Sequence, residues 1–156
     1  MTLPTPADVA AAVTAAAERL SGVVVDTPLR PSAGWSRLAG GEVRLKLENV
    51  QHTGSFKFRG ASHALLVLPD AERLCGVVAA SSGNHGLALA TAGARLGVPV
   101  TIVVPTTTPA AKRAAITAAG GEVVVHGDDC VLSEVHARRL AAADGRRYVS
   151  PYNDLD

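Results

Sequence analysis

The feature that most constrains this chain is a rhythm that begins near Cys75 and runs almost to its end. Short apolar runs alternate with stretches of small residues, and glycine closes each of those stretches. "CGVVAA" (75–80) predicts a strand, "SSGN" (81–84) a turn, and "HGLALATAGARLG" (85–97) a helix stopped by Gly97. "PVTIVVP" (99–105) predicts the next strand, Pro109 opens a helix ending at Gly120–Gly121, and "EVVVHG" (122–127) is a third strand. A helix from about Asp129 to Ala143, closed by Gly145, leads into a last strand, "RRYVS" (146–150). Strands separated by helices cannot pair through tight hairpins; they join in parallel through right-handed crossovers. The expected fold class is α/β, an open parallel sheet of βαβ units. Composition agrees: 47% of the residues are hydrophobic but only 3% are aromatic. Such a core is built from Val, Ala, Leu and Ile, as a sheet covered on both faces requires.

The first 70 residues are less regular. Thr5-Pro6-Ala7-Asp8 predicts a helix start, with a Thr cap, Pro in the first turn and an acid on the positive end of the dipole. That helix runs to about Leu20 and stops at Gly22. "VRLKLE" (43–48) alternates as a half-buried strand, "NVQHTG" (49–54) is a loop, and "SFKFRGASHALLVL" (55–68) predicts a helix that Gly60 weakens.

Several functional classes are disfavoured. The net charge is +1 with no basic run, so neither nucleic acid nor an anionic membrane is an expected partner. The N-terminus lacks a basic leader region, Asp8 precedes its apolar run, and no apolar stretch reaches the length that spans a bilayer. Cys75 and Cys130 are far apart and form no C-x-x-C, which suggests neither a zinc framework nor a disulfide scaffold. A soluble, reduced, cytoplasmic protein is the expectation.

In open parallel sheets, ligands sit at the carboxyl ends of strands. "AASSGNHG" (79–86) is the turn at such an end and leads into a helix N-terminus. Two hydroxyls, an amide and several backbone N–H groups converge there, which suits a carboxylate or a phosphate. Helix capping by Ser82 or Asn84 explains one polar residue in this turn but not four in a row. No G-x-G-x-x-G, G-x-x-x-x-G-K-[ST] or G-x-S-x-G occurs at this turn, so the dinucleotide fingerprint, the P-loop and the hydrolase elbow are set aside. "HGDDC" (126–130) holds metal-ligand residue types, but Asp128 or Asp129 reads better as an N-cap, because adjacent residues cannot all face one ion. His63 and His136 fall in predicted helices and are expected to face solvent.

Lys57 stands apart. The chain has two Phe, and both flank it. In the first turn of a helix the dipole disfavours a charged amine, and apolar neighbours on either side do the same. A neutral amine is a nucleophile able to form a Schiff base. A lysine snorkelling beside core phenylalanines explains the segment equally well.

Taken together, "S-F-K-x-R-G-A" followed by "S-S-G-N-H-G" resembles the fold-type II pyridoxal-phosphate enzymes, in their serine/threonine dehydratase and serine racemase branch. The likeness extends from "TPL" (27–29) through "KLE" (46–48) and both motifs to "PYND" (151–154). It implies the tryptophan synthase β-like fold, with residues 1–70 starting a large domain, 71–149 forming a small α/β domain and 150–156 returning to the large one. It implies pyridoxal 5'-phosphate as cofactor, held by Lys57 through an imine, with Phe56 on the pyridine ring and Asn84 on the ring hydroxyl. Ser81, Ser82, Gly83 and His85 would hold the substrate carboxylate, chiefly through backbone N–H groups, and Asn153 would line the substrate side chain. The implied reaction is dehydration and deamination of L-threonine or L-serine, with Lys57 as the base. A racemase is the alternative, with Ser82 as the acid/base on the opposite face; a non-catalytic subunit that needs a partner half is another. The full-length form is expected to be a homo-oligomer acting on a small amino acid. The family's glycine-rich phosphate loop does not occur in these 156 residues, so the isolated chain is expected to be inactive.

Overall fold

The computed structural model describes residues 4–152. Helix α1 (Pro6–Leu20) begins at the predicted cap: the Asp8 N–H donates to Thr5 Oγ1 (3.3 Å) and the Thr5 N–H donates to Asp8 Oδ2 (2.9 Å). These two bonds serve two of the donors that a helix start otherwise leaves unpaired. There follow β1 (Leu29–Pro31), α2 (Ala33–Ala39), β2 (Arg44–Lys46), a 3-10 turn (Glu48–Val50) and α3 (Lys57–Leu66). After α4 (Asp70–Cys75) the regular alternation starts: β3 (Val77–Ala80), α5 (Asn84–Leu96), β4 (Val100–Val104), α6 (Ala110–Ala118), β5 (Glu122–Val125), α7 (Cys130–Asp144) and β6 (Arg147–Tyr148).

These last four strands form one parallel sheet in the order β5-β4-β3-β6. Their side chains alternate between two faces. Val77, Ala79, Ile102 and Val104 enter the larger core with Phe58 and Leu65 of α3, Ala88 and Leu89 of α5 and Ile116 of α6. Val78 and Val103 face the other way, onto Ala137 and Ala141 of α7. The sheet is thus covered on both faces, which is why its central strands read as continuous apolar runs. Small residues bring helix and sheet close together. A Cβ on Gly93 would lie 2.3 Å from Val100 Cγ2 and 2.7 Å from the Val98 carbonyl oxygen.

Three expectations are corrected. The predicted half-buried strand over 43–48 shortens to β2, all three residues of which are exposed. It pairs antiparallel with β1, Leu29 opposite Lys46, in a ribbon too short to build a layer of its own. Cys75 and Gly76 belong to the end and cap of α4 rather than to the strand. Gly76 has φ of +83°, and a Cβ there would meet the Pro99 carbonyl oxygen at 2.6 Å, so only glycine fits before β3. His63 and His136 are half-buried rather than solvent-facing. The His136 ring stacks on His126 at a centroid distance of 3.8 Å. Asp129 caps α7 as expected, accepting the Leu132 N–H at 2.7 Å. Among the described residues, no helix is long and apolar enough to cross a membrane.

Candidate active site

Lys57 is the first residue of α3, after Phe56 as its N-cap. Successive helical side chains diverge by about 100°, and this separates the two phenylalanines. Phe58 is fully buried, with the His52 ring edge-on at 5.1 Å and the Arg95 guanidinium 5.4 Å from its centroid. Phe56 is 61% exposed, and Lys57 Nζ lies 5.4 Å from its ring centroid. The expectation that both rings flank the amine is corrected: Phe56 stays beside it and Phe58 anchors the helix. Lys57 Nζ donates to the Pro151 carbonyl oxygen at 2.8 Å and lies 5.9 Å from the Tyr152 ring.

The start of α3 is tied down by an ion-pair network. Arg59 Nε donates to Glu48 Oε2 (3.0 Å), and its Nη2 donates to Glu48 Oε1 (2.7 Å), the Val25 carbonyl oxygen (3.1 Å) and Thr27 Oγ1 (3.2 Å). Thr27 Oγ1 in turn donates to Glu48 Oε1. Gln51 completes the frame, accepting the Val25 N–H (2.9 Å) and donating to the Val25 carbonyl oxygen (3.1 Å). The Arg59 guanidinium holds the Glu48 carboxyl down at about 2, against the opposing effect of burial.

At the carboxyl end of β3 the chain turns through Ser81–Gly83 into α5. The Ser81 N–H extends the sheet by donating to the Val103 carbonyl oxygen (3.1 Å), and Ser81 Oγ accepts the Gly83 N–H (3.2 Å). What Ser81 presents to a ligand is therefore its hydroxyl, whereas the first turn of α5 supplies N–H groups that lack intrahelical acceptors. Gly86 keeps this turn tight, since a Cβ there would lie 2.6 Å from the Ser81 carbonyl oxygen.

The expected site residues fall around three neighbouring cavities. Lys57, Phe56 and His85 share one of about 290 Å³ with His63, Pro151 and Tyr152. Ser81, Ser82 and Gly83 line another of about 250 Å³, which Pro151 and Tyr152 also border. Asn84 lies apart, with Ser82, Gly83 and Lys112 around a space of about 100 Å³. Asn153 lies outside the described residues. The segment at Pro151 and Tyr152 thus stands between the amine and the serine-rich turn. Sequence reasoning missed His63, whose Nε2 is buried without a hydrogen-bond partner and whose ring burial makes harder to protonate, with Arg19 acting the same way. It also missed the small residues beside Lys57, although Lys57, Gly60, Ala61 and Ala64 carry the i, i+3, i+4, i+7 spacing of one helical face.

Residues 20–156 match the family model described as "Pyridoxal-phosphate dependent enzyme". The chain belongs to this family. It is 44% identical over 141 residues to L-threo-3-hydroxyaspartate ammonia-lyase of Pseudomonas sp, an alignment covering 90% of this chain and 44% of the relative. It is 40% identical over 139 residues to the catabolic L-threonine dehydratase of Escherichia coli K12, covering 89% of this chain and 42% of that protein. The serine racemase structure from Dictyostelium discoideum superimposes with a TM-score of 0.84 at 34% identity, covering 92% of this chain and 47% of the other. The fold is accordingly that of the fold-type II enzymes, and the chain spans less than half the length of these relatives.

The family's cofactor is pyridoxal phosphate, and the residues present suit its ring end. A primary amine, an exposed phenylalanine ring and an unpartnered imidazole nitrogen border one cavity. Gly60 adds open space on the same helical face, since a Cβ there would meet nothing within 4 Å.

Proposed function

We propose that this chain is the N-terminal part of a hydro-lyase/deaminase acting on L-threonine or L-serine. In this reading residues 1–70 begin the large domain, 71–149 form the small domain and 150–156 return to the large one. The observation that carries the reading is Lys57: its Nζ sits at a helix start, on the wall of a cavity bordered by an aromatic ring and next to a serine-rich turn at a strand's carboxyl end. The cofactor, when bound, supplies an electron sink for the negative charge that develops as the α-proton leaves. Lys57 would hold it covalently, Phe56 would cover its ring, and Asn84 would reach its ring hydroxyl after a rearrangement. Lys57 Nζ, once released, takes the α-proton of the substrate. The Ser81 and Ser82 hydroxyls, with Gly83, His85 and the N–H groups of the first turn of α5, orient the substrate carboxylate. Asn153 would line the substrate side chain. Water is lost from the β-carbon and regained on hydrolysis, giving a 2-oxo acid and ammonia.

The test is incubation with pyridoxal phosphate, borohydride reduction and peptide mapping. The chain has three lysines, so Lys46 and Lys112 serve as internal references. Label concentrated on Lys57 is expected; label shared evenly among the three would defeat the assignment.

A racemase is the second reading. It is favoured by the position of Ser82 across the Pro151–Tyr152 segment from the Lys57 amine, from which the two groups would approach one substrate from opposite sides. In either case the exposed Leu29, Trp35, Leu38 and Leu45 support a full-length form that covers this surface and associates with itself.

A further inference from the structure

The cavity beside Ser81–Gly83 has a second wall that the proposed reaction does not use. It is the N-terminal part of α7, which brings Cys130, Ser133 and Glu134 to the same space of about 250 Å³. Among the described residues lining that space, Glu134 alone carries a charge. Its side chain is 34% exposed, and it is held in place from one turn further along the helix. Arg138 Nε and Nη2 donate to the same carboxylate oxygen, Oε1, at 3.0 and 2.8 Å. The Arg138 guanidinium in turn lies 4.2 Å from the Tyr148 ring centroid. A positioned acid therefore faces the turn assigned to the substrate carboxylate, and its partner arginine is anchored away from the cavity lining.

Resting on the reading that Ser81–Gly83 hold the α-carboxylate, we propose that Glu134 determines specificity: it admits β-hydroxy amino acids with a neutral side chain and rejects those with a second carboxylate. A second anion in this cavity would be placed close to the Glu134 carboxylate, and like charges held that close repel one another. A neutral methyl group or hydrogen meets no such opposition, and a hydroxyl can donate to the acid. A preference for 3-hydroxyaspartate, the substrate in the name of one relative, would then not carry over to this protein.

The experiment uses the full-length, cofactor-loaded protein and measures kcat/KM for L-threonine and for L-threo-3-hydroxyaspartate. The wild type should favour threonine. Glu134→Gln should raise the hydroxyaspartate-to-threonine ratio about tenfold, equivalent to about 1.4 kcal/mol. Arg138→Gln should lower the ratio, because it leaves the acid uncompensated. A ratio unmoved by either change overturns the proposal. Failure to act on either substrate would count against the reaction, and the role of Glu134 would then be read from Cys130, which lines the same cavity and is exposed. Its alkylation by anionic iodoacetate relative to neutral iodoacetamide should rise severalfold in Glu134→Gln, with exposed Cys75 as the internal reference. The same ratio at Cys130 in wild type and variant would show that the cavity does not sense this charge, and the proposal would fall.

Discussion

Glu48→Gln should destabilise the protein by about 2 kcal/mol at neutral pH, and the loss should vanish in acid. The substitution keeps the shape of the side chain but removes its charge, and the new amide nitrogen cannot accept from Arg59. Two bonds between opposite charges, at 2.7 and 3.0 Å, become one bond from the guanidinium to a neutral amide oxygen and one mismatch. Breaking a fully buried pair costs about 3–5 kcal/mol, whereas exposed pairs contribute about 1 kcal/mol or less. The Arg59 and Glu48 side chains are 30% and 17% exposed, which places this pair between those limits. For a chain of this size, 2 kcal/mol corresponds to a fall in Tm of about 4–8 °C. The pH dependence follows from the depressed carboxyl, held at about 2 rather than the ordinary 4.5. Above the unfolded value the folded state keeps the full benefit of the ionised group. As pH falls from 4.5 through 2 the unfolded chain takes up the proton first, and the benefit is lost. Thermal melts of wild type and variant across that window should therefore converge. A gap that persists undiminished at about pH 3 or below would mean that packing rather than charge holds the network. No gap at neutral pH would mean that the network contributes nothing net.

Other expectations concern the helices and the site. Gly93→Ala should cost about 1–3 kcal/mol in denaturant unfolding, because the new methyl group must push α5 off β4. Phe58→Ala should cost about 3–5 kcal/mol, whereas Phe56→Ala should barely change stability but weaken pyridoxal phosphate retention, measured by absorbance after dialysis. In the full-length protein, Ser82→Ala should reduce racemisation more than elimination, measured on one preparation; equal losses would leave Ser82 a positioning role only. The 156-residue chain with added cofactor should produce little 2-oxo acid from serine or threonine; turnover in the ordinary enzymatic range, about 1–10³ s⁻¹, would refute that.

The part of the fold beyond Val77 was legible because two independent signals coincide there. The strands are apolar runs, and the helices between them end at glycines that adopt the left-handed conformation, Gly97 at +68° and Gly145 at +66°. Residues 23–50 lack the apolar runs, although α2 also ends at a left-handed glycine, Gly40 at +67°. Their strands are three residues long and exposed, so alternation in "VRLKLE" reported a polar ribbon rather than a buried face. The candidate site was legible to the extent that its segments are local. Lys57 with Phe56 and the Ser81–Gly83 turn could each be read as a segment, and the structure sets them around adjoining cavities. That His63 and Glu134 line these cavities was not legible, because each depends on which face of its helix turns inward.

That difference explains how the chain can place an amine so firmly with so few aromatic residues. Phe58 locks α3 into the core that α5 also enters, and Arg59, on a third face, ties the same turn to Val25, Thr27 and Glu48. Lys57, immediately before them in sequence, is left facing the cavity, with its Nζ held on the Pro151 carbonyl oxygen. The serine-rich turn is fixed by the sheet itself through the Ser81 N–H and by the absence of a Cβ at Gly86. Each candidate group therefore sits next to a residue whose work is anchoring, and the helix and the strand end are held to one another through the shared core. Loosening the Arg59 anchor should move the amine before it unfolds the sheet, because the two cores that cover the faces of β3 and β4 do not include Arg59.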